Sequence, residues 1–285
     1  MTFSIIGYDP ETEELGIAVQ SKFLGVGAVV PWAKAGVGAV ATQSYANPAY
    51  GPDGLALMEQ GKTAEEALKT LVEADEGRSL RQAGMMDAKG GAATYTGEDC
   101  YDWAGGRIGE NCVAQGNILV SGATVDAMVD TFEQTEGDLA DRLLVALDAG
   151  QDAGGDKRGM QSAAIYVVKE KGGYLEANDR YVDLRVDEHP DPIKELIRIY
   201  KLQQLYFAGP KDEDVLTVEG EVKQQIASQL QALGQLETTE VDDDTFYEAL
   251  TSFIRTENFE RRELERGKID RAILEYMTEK ATSNT

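Results

Sequence analysis

Residues 2–21, TFSIIGYDPETEELGIAVQS, hold two short apolar runs, TFSIIGY (2–8) and ELGIAVQS (14–21), joined by the turn chemistry of D-P-E-T-E. Apolar side chains fall at odd and even positions alike, so a strand-turn-strand unit with both faces buried is expected. VGAVV (26–30) and VGAVATQS (37–44) repeat that character around PWAKAG, which extends the expectation to four strands. Then the period changes. Pro52 follows Gly51 as a first-turn proline, and a helix is expected through Leu55, Leu57 and Met58 to a stop at Gly61. Thr63 and Glu66 have capping-box spacing ahead of Ala67, Leu68, Leu71 and Val72, which share one helical face.

Strand signals return at 82–87 (QAGMMD), 91–96 (GAATYT) and 112–119 (CVAQGNIL). A second helical pair follows, with Val125, Met128, Val129 and Phe132 on one face and Leu139, Leu143, Leu144 and Leu147 on the next, ending near Gly150. QSAAIYVV (161–168) and YVDLRV (181–186) are strand-like, and H-P-D-P (189–192) opens a helix through Ile193, Leu196, Ile197 and Tyr200. Strands, paired helices, strands, paired helices, strands: this order suits two layers of sheet covered by helices. From residue 209 to 285 the texture turns to alternating helical and acidic segments, such as VEGEVKQQIASQLQALG (218–234), and a small helical C-terminal appendage is expected after a main domain at 1–208.

The chain has 285 residues, 42% of them hydrophobic, enough for a large globular core with an appendage. No run approaches the roughly 20 apolar residues of a membrane span, and the amino terminus lacks the pattern of a signal peptide. A cytoplasmic location is therefore expected. Cys100 and Cys112 are too few for a disulfide framework and suit a reducing compartment, a single bridge being the minority alternative. A net charge of -24 argues against a nucleic-acid partner and against anionic membranes. Acidity is spread along the chain and reads first as a solvated surface, with adaptation to high salt as the sharper alternative. Adaptation predicts a melting temperature that rises from dilute buffer to molar salt; an unchanged one would exclude it.

Thr2 is the first candidate for chemistry. Removal of Met1 is expected because threonine is small, and the mature chain then carries a hydroxyl and a free α-amine on one residue. An amine of unperturbed pKa about 7.7–8.0 can serve as base for its own side chain. Asn47 in YANPAYG and Asn117 in QGN could give amide donors to an oxyanion, although Asn-Pro and Gly-Asn also favour turns. The loop AGGDKRGMQS (153–162) bunches Asp156, Arg158, Gln161 and Ser162 before an apolar strand. An Asp156–Arg158 pair could lock the loop over a pocket, or Arg158 could meet a substrate carboxylate in a bidentate contact. The P-loop pattern is absent.

No metal and no cofactor are expected. His189 is the single histidine and reads as a helix-entrance residue; with the two cysteines it makes no close-spaced ligand pair, and a serine or cysteine protease triad is not expected, because that lone histidine would have to fall in the right place. Asp183, Asp187, Glu188 and Asp191 are the minor alternative, a hard-cation cluster.

TFSIIGYDPETEELGIAVQSKFLGVGAVVPWAKAGVGAVATQSYANPAYG, TGEDCYDWAGGRIGENCVAQGNIL, AGGDKRGMQSAAIYV and VDLRVDEHPDP together resemble the bacterial and archaeal family called domain of unknown function 1028, over residues 1–208. That family is placed by fold similarity in the N-terminal-nucleophile (Ntn) hydrolase superfamily, alongside proteasome β-subunits and asparaginase-like amidohydrolases. The resemblance implies an α+β fold, a four-layer α-β-β-α sandwich whose first strand begins at the nucleophile, here Thr2. Threonine members place a lysine nearby, with Lys22 and Lys34 as candidates, and Ser21 could serve a hydrogen-bond relay; ordinary solvated side chains are the alternative for all three. Residues 209–285, with YFAGP, VEGEV and ENFE, resemble a small domain that often follows and is labelled peptidoglycan-binding. Such binding is not expected, because an acidic surface gains nothing from an anionic wall. The leading expectation is an amidohydrolase acting on a small-molecule or peptide amide; the alternative is a non-catalytic binding or assembly protein on the same scaffold. Self-association into a homo-oligomer stays open.

Overall fold

The structure is a computed structural model and describes residues 2–283. β1 (Thr2–Asp9) and β2 (Glu14–Ser21) form the antiparallel hairpin, Phe3 opposite Gln20 and Asp9 opposite Glu14, with every residue but Asp9 buried. Gly7 is needed on β1, since a Cβ there would lie 2.7 Å from the Phe132 ring. β3 (Pro31–Lys34), β4 (Gly38–Ser44), α1 (Tyr50–Glu59), α2 (Ala64–Ala74), β5 (Arg81–Asp87) and β6 (Ala92–Thr96) follow. Next come β7 (Gly105–Gly109), β8 (Cys112–Asn117), α3 (Ala123–Gln134), α4 (Leu139–Asp152), β9 (Ser162–Val168), β10 (Arg180–Val186) and α5 (Pro192–Phe207).

The fold is mixed α and β with antiparallel sheets. One sheet has the order β10-β9-β2-β1-β8-β7 and the other β3-β4-β5-β6. α3 and α4 pack on the larger sheet, α1 and α2 on the smaller, and the sheets meet through β1 with β4 and β5 with β8. Ile6, Leu15, Ile17, Val19, Ala39, Ala41, Met86 and Val113 fill the space between the sheets. The approach is close at Gly84 of β5, where a Cβ would sit 2.1 Å from Gln115 Oε1. This explains why the hairpin is apolar on both faces: helices cover one side and the second sheet covers the other.

The helical faces expected from 3.6-residue spacing are the buried ones, from Val125 to Phe132 and from Leu139 to Leu147. The capping box is formed, with Glu66 N–H donating to Thr63 Oγ1 at 3.2 Å and Thr63 N–H to Glu66 Oε2 at 3.0 Å. VGAVV is not a strand. Gly25 takes a left-handed φ of 65°, Val26–Ala28 make a 3₁₀ turn, and the third strand is PWAK instead. The turn is held from outside its own sequence: Gly25 N–H donates to Asp187 O, Val26 N–H to Ser162 Oγ, and Gly27 lies against Ala164. β7 was not expected, because the glycines of GGRIG mask the strand signal of a half-exposed edge. Both cysteines are free and buried, and burial pushes the Cys112 thiol up to about 12.

The chain divides into two compact units, the first through Arg198 and the second from Ile199. The second unit holds β11 (Val215–Thr217), α6 (Gly220–Ala232), α7 (Asp243–Thr256), β12 (Lys268–Asp270) and α8 (Arg271–Ser283). Ile226, Leu230, Phe246, Phe253, Phe259, Ile273 and Met277 make its core. The pairing of β11 with β12 adds a two-stranded sheet to what the sequence presents as helical. Among the described residues no helix is long and apolar enough to cross a membrane.

Candidate active site

Antiparallel order brings the start of β1 and β9 and the end of β2 and β8 to the same end of the larger sheet. Thr2 lies opposite Asn117, and Ser21 opposite Ser162. Thr2 and Ser21 are both buried, and Thr2 Oγ1 is 3.1 Å from Ser21 Oγ. In the smaller sheet, Ser44 at the end of β4 pairs with Arg81 at the start of β5. Between these ends lies a cavity of about 380 Å³. Thr2, Ser21, Gln43, Tyr45 and Arg81 give it polar groups, and Phe23, Val26, Val29 and Val30 give it an apolar wall. A larger hollow of about 590 Å³ lies in the second unit beside α7, but most of its charges are taken up in the pairs Arg255–Glu263, Arg266–Asp244 and Lys268–Glu265. The Thr2 cavity is the better candidate because a hydroxyl pair and a cation converge on an apolar wall there.

Buried amides hold Thr2 in place. Gln43 Nε2 donates to Thr2 O at 3.3 Å and to Gln82 Oε1 at 2.8 Å, while Ser4 Oγ donates to Gln43 Oε1 at 2.7 Å. Gln115 Nε2 donates to Ser4 Oγ at 2.7 Å, and Gln82 Nε2 to Gly116 O at 2.8 Å. Burying such groups is costly unless they are paired, so the network ties the two sheets into one register behind the cavity.

Arg81 is oriented by a cluster of its own. Its Nε donates to Asp75 Oδ2 at 2.9 Å and its Nη1 to Tyr45 O at 2.6 Å. Asp75 also accepts from Gly77 N–H at 2.8 Å and from the Tyr50 hydroxyl at 3.1 Å. The Arg81 hydrogen bond lowers the Asp75 carboxyl to about 2, outweighing burial, with the Gly77, Asn47 and Tyr50 donors adding to it. Burial first, and then the Asp75 charge, push the Tyr50 phenol well above its usual range. Because the folded carboxyl is lowered, its contribution is complete above the ordinary value of 3.8 and is lost as pH falls through about 2. The Asp75 side chain is 12% exposed, and the shift corresponds to about 2 kcal/mol. Urea unfolding at pH 5 and at pH 2.5 should show the stability gap between wild type and Asp75→Asn narrowing at the lower pH; a constant gap would contradict this assignment.

The model described as "Family of unknown function (DUF1028)" matches residues 2–196. The chain belongs to this family. A model described as "Putative peptidoglycan binding domain" matches residues 206–277. The crystal structure of the DUF1028 protein SPO2555 from Silicibacter pomeroyi is similar at 30% identity and a TM-score of 0.66, covering 78% of this chain and 88% of that one. Anbu, an ancestral beta-subunit from Yersinia bercovieri, aligns over 74% of this chain and 99% of its own at 11% identity, with a TM-score of 0.33, too low to bear on fold or function. Comparison with curated proteins gives no match.

In this DUF1028 chain only Thr2 and Ser21, of the residues singled out by sequence, border the cavity. Asn117 stands beside Thr2 in register, with its Nδ2 donating to Gln82 Oε1 at 2.9 Å. Asn47 Nδ2 reaches Asp75 Oδ2 at 3.4 Å, and its Oδ1 accepts from Ala49 N–H. Lys22 Nζ donates to Met160 O at 3.1 Å, and Lys34 pairs with Glu59 at 2.5 Å. Asp156 is buried and accepts from the Lys22 and Arg158 N–H groups and from Arg158 Nη2. Gln161 N–H donates to Ser21 O, and Ser162 Oγ donates to Phe23 O at 2.5 Å. Asp156, Gln161 and Ser162 therefore clamp the segment that leads from Ser21 into the apolar wall, and Arg158 pairs with Asp156. His189 Nδ1 accepts from Asp191 N–H just before α5, while Asp183 pairs with Arg180 and Asp187 with Arg185. Met1 lies outside the described residues. Arg81, Gln43 and Tyr45 were missed, although Gln43 and Arg81-Gln82 stand out as polar residues at the ends of apolar strands.

Proposed function

We propose that this DUF1028 chain is an amidohydrolase of the N-terminal-nucleophile type, with its first unit arranged as the four-layer α-β-β-α sandwich of that superfamily. The observation that carries the reading is the place of Thr2: it heads a central strand, in a cavity, with Oγ1 3.1 Å from Ser21 Oγ. Once Met1 is removed, the free α-amine takes the proton of Oγ1 as the oxygen attacks an amide carbonyl carbon. The C–N bond breaks, the ammonium returns the proton to the departing amine, and an ester on Thr2 remains. Water, deprotonated by the same amine, hydrolyses that ester. Ser21 positions Oγ1, and backbone N–H groups are the proposed source of oxyanion donors, since the Asn117 amide is engaged by Gln82 Oε1.

A second reading, a non-catalytic scaffold, draws on one observation: neither Lys22 nor Lys34 borders the cavity. The two separate on untagged native protein. The amidohydrolase predicts an intact mass short by one methionine and covalent addition of a β-lactone or epoxyketone at Thr2. Quantitative retention of Met1 would defeat the mechanism, and clean processing with no labelling would favour the scaffold.

A further inference from the structure

We infer that the ligand of the Thr2 cavity is an amide bearing a carboxylate, which Arg81 holds, beside an apolar group lodged against Phe23, Val26, Val29 and Val30. This rests on the amidohydrolase reading for the word amide, and on the cavity alone for the carboxylate. The chain carries 51 Asp and Glu against 27 Lys and Arg, so acids outnumber bases nearly two to one. The cavity has none: Arg81 is the one charged side chain among its lining residues. Its guanidinium is already fixed by Asp75 and the Tyr45 carbonyl, with Nη2 lying against Gly77 and making no hydrogen bond among the described residues. A donor held in place before binding loses little side-chain entropy when an anion arrives. Asp75, which balances the charge, is not a lining residue and is itself tied to Gly77, Tyr50 and Asn47. The opposite wall is apolar, and a cavity of about 380 Å³ falls at the small end of the range for small-molecule sites.

The test separates the carboxylate from the chemistry. N-acetyl-L-phenylalanine and its uncharged amide, N-acetyl-L-phenylalaninamide, are titrated by ligand-detected NMR into Thr2→Ala protein, which cannot turn either over. The acid should bind roughly tenfold tighter or more, as a charge-assisted contact predicts. Because Arg81→Gln alone strands Asp75, the double variant Arg81→Gln with Asp75→Asn is used beside it, its fold checked by circular dichroism, and the preference should vanish. If no electrophile labels Thr2 in wild type while an Arg81-dependent preference persists, the nucleophile reading fails and the carboxylate site stands. Equal binding of acid and amide, binding of neither at millimolar concentration, or a preference that survives the double substitution overturns the inference.

Discussion

Thr2→Ala should lose its methionine as the wild type does, keep its fold, and lose all covalent labelling and amide turnover. The structural cost is small: Thr2 gives up one side-chain hydrogen bond to Ser21, about 1 kcal/mol. The chemical cost is complete, because alanine keeps the amine but has no oxygen to attack. Thr2→Ser retains both groups and should label at a reduced rate, since it lacks the γ-methyl that restricts the threonine rotamer. Ser21→Ala should fall between, slowing labelling by releasing Oγ1 without removing it. For the serine and the wild-type protein alike, the rate should rise with pH through the range of an α-amine, because only the unprotonated amine accepts the Oγ1 proton. Labelling that persists in Thr2→Ala would place the reactive group elsewhere and end the case for this residue.

The parts of this site that sequence could show are those written in local periodicity. Thr2 and Ser21 are the first and last residues of two apolar runs, and antiparallel pairing across D-P-E-T-E brings such ends together without further information. The faces of α3 and α4 were readable because apolar residues repeat at helical spacing. The Val26–Ala28 turn was not, since what bends VGAVV are partners from Ser162 and Asp187, far along the chain. Arg81 entered the cavity through the pairing of β4 with β5 across two intervening helices, a register that no local pattern encodes. Gln43, Gln82 and Gln115 are harder still: a glutamine in a strand reads as a solvent-facing residue, and only the contact of two sheets turns it into a buried tie. Asp156 shows the converse, a polar cluster that draws the eye as a binding loop and whose hydrogen bonds go to the chain around it.

Arg262→Ala is expected to unfold the second unit while the first stays native. Arg262 and Asp270 form a buried ion pair, and the guanidinium also gives Nε to Leu205 O at 2.6 Å and Nη2 to Gln204 O at 2.9 Å. Those carbonyls end α5, where a cation is favoured. Asp270, fully buried, accepts from Ala272 N–H at 2.9 Å at the head of α8. One residue thus joins two helix ends, and its loss strands a carboxylate and two carbonyls. Breaking a buried pair this way costs about 3–5 kcal/mol. A unit of this size, running from Ile199, has a total stability of only about 5–10 kcal/mol to lose. Arg262→Lys should recover little, for an ammonium cannot reproduce the fork that reaches three acceptors. Arg262→Met with Asp270→Asn should recover more, because no charge is left unpaired. Both tryptophans, Trp32 and Trp103, lie in the first unit, so their fluorescence should be unchanged while amide exchange in α6, α7 and α8 accelerates. Native protection of those amides in Arg262→Ala would mean that the pair holds nothing together.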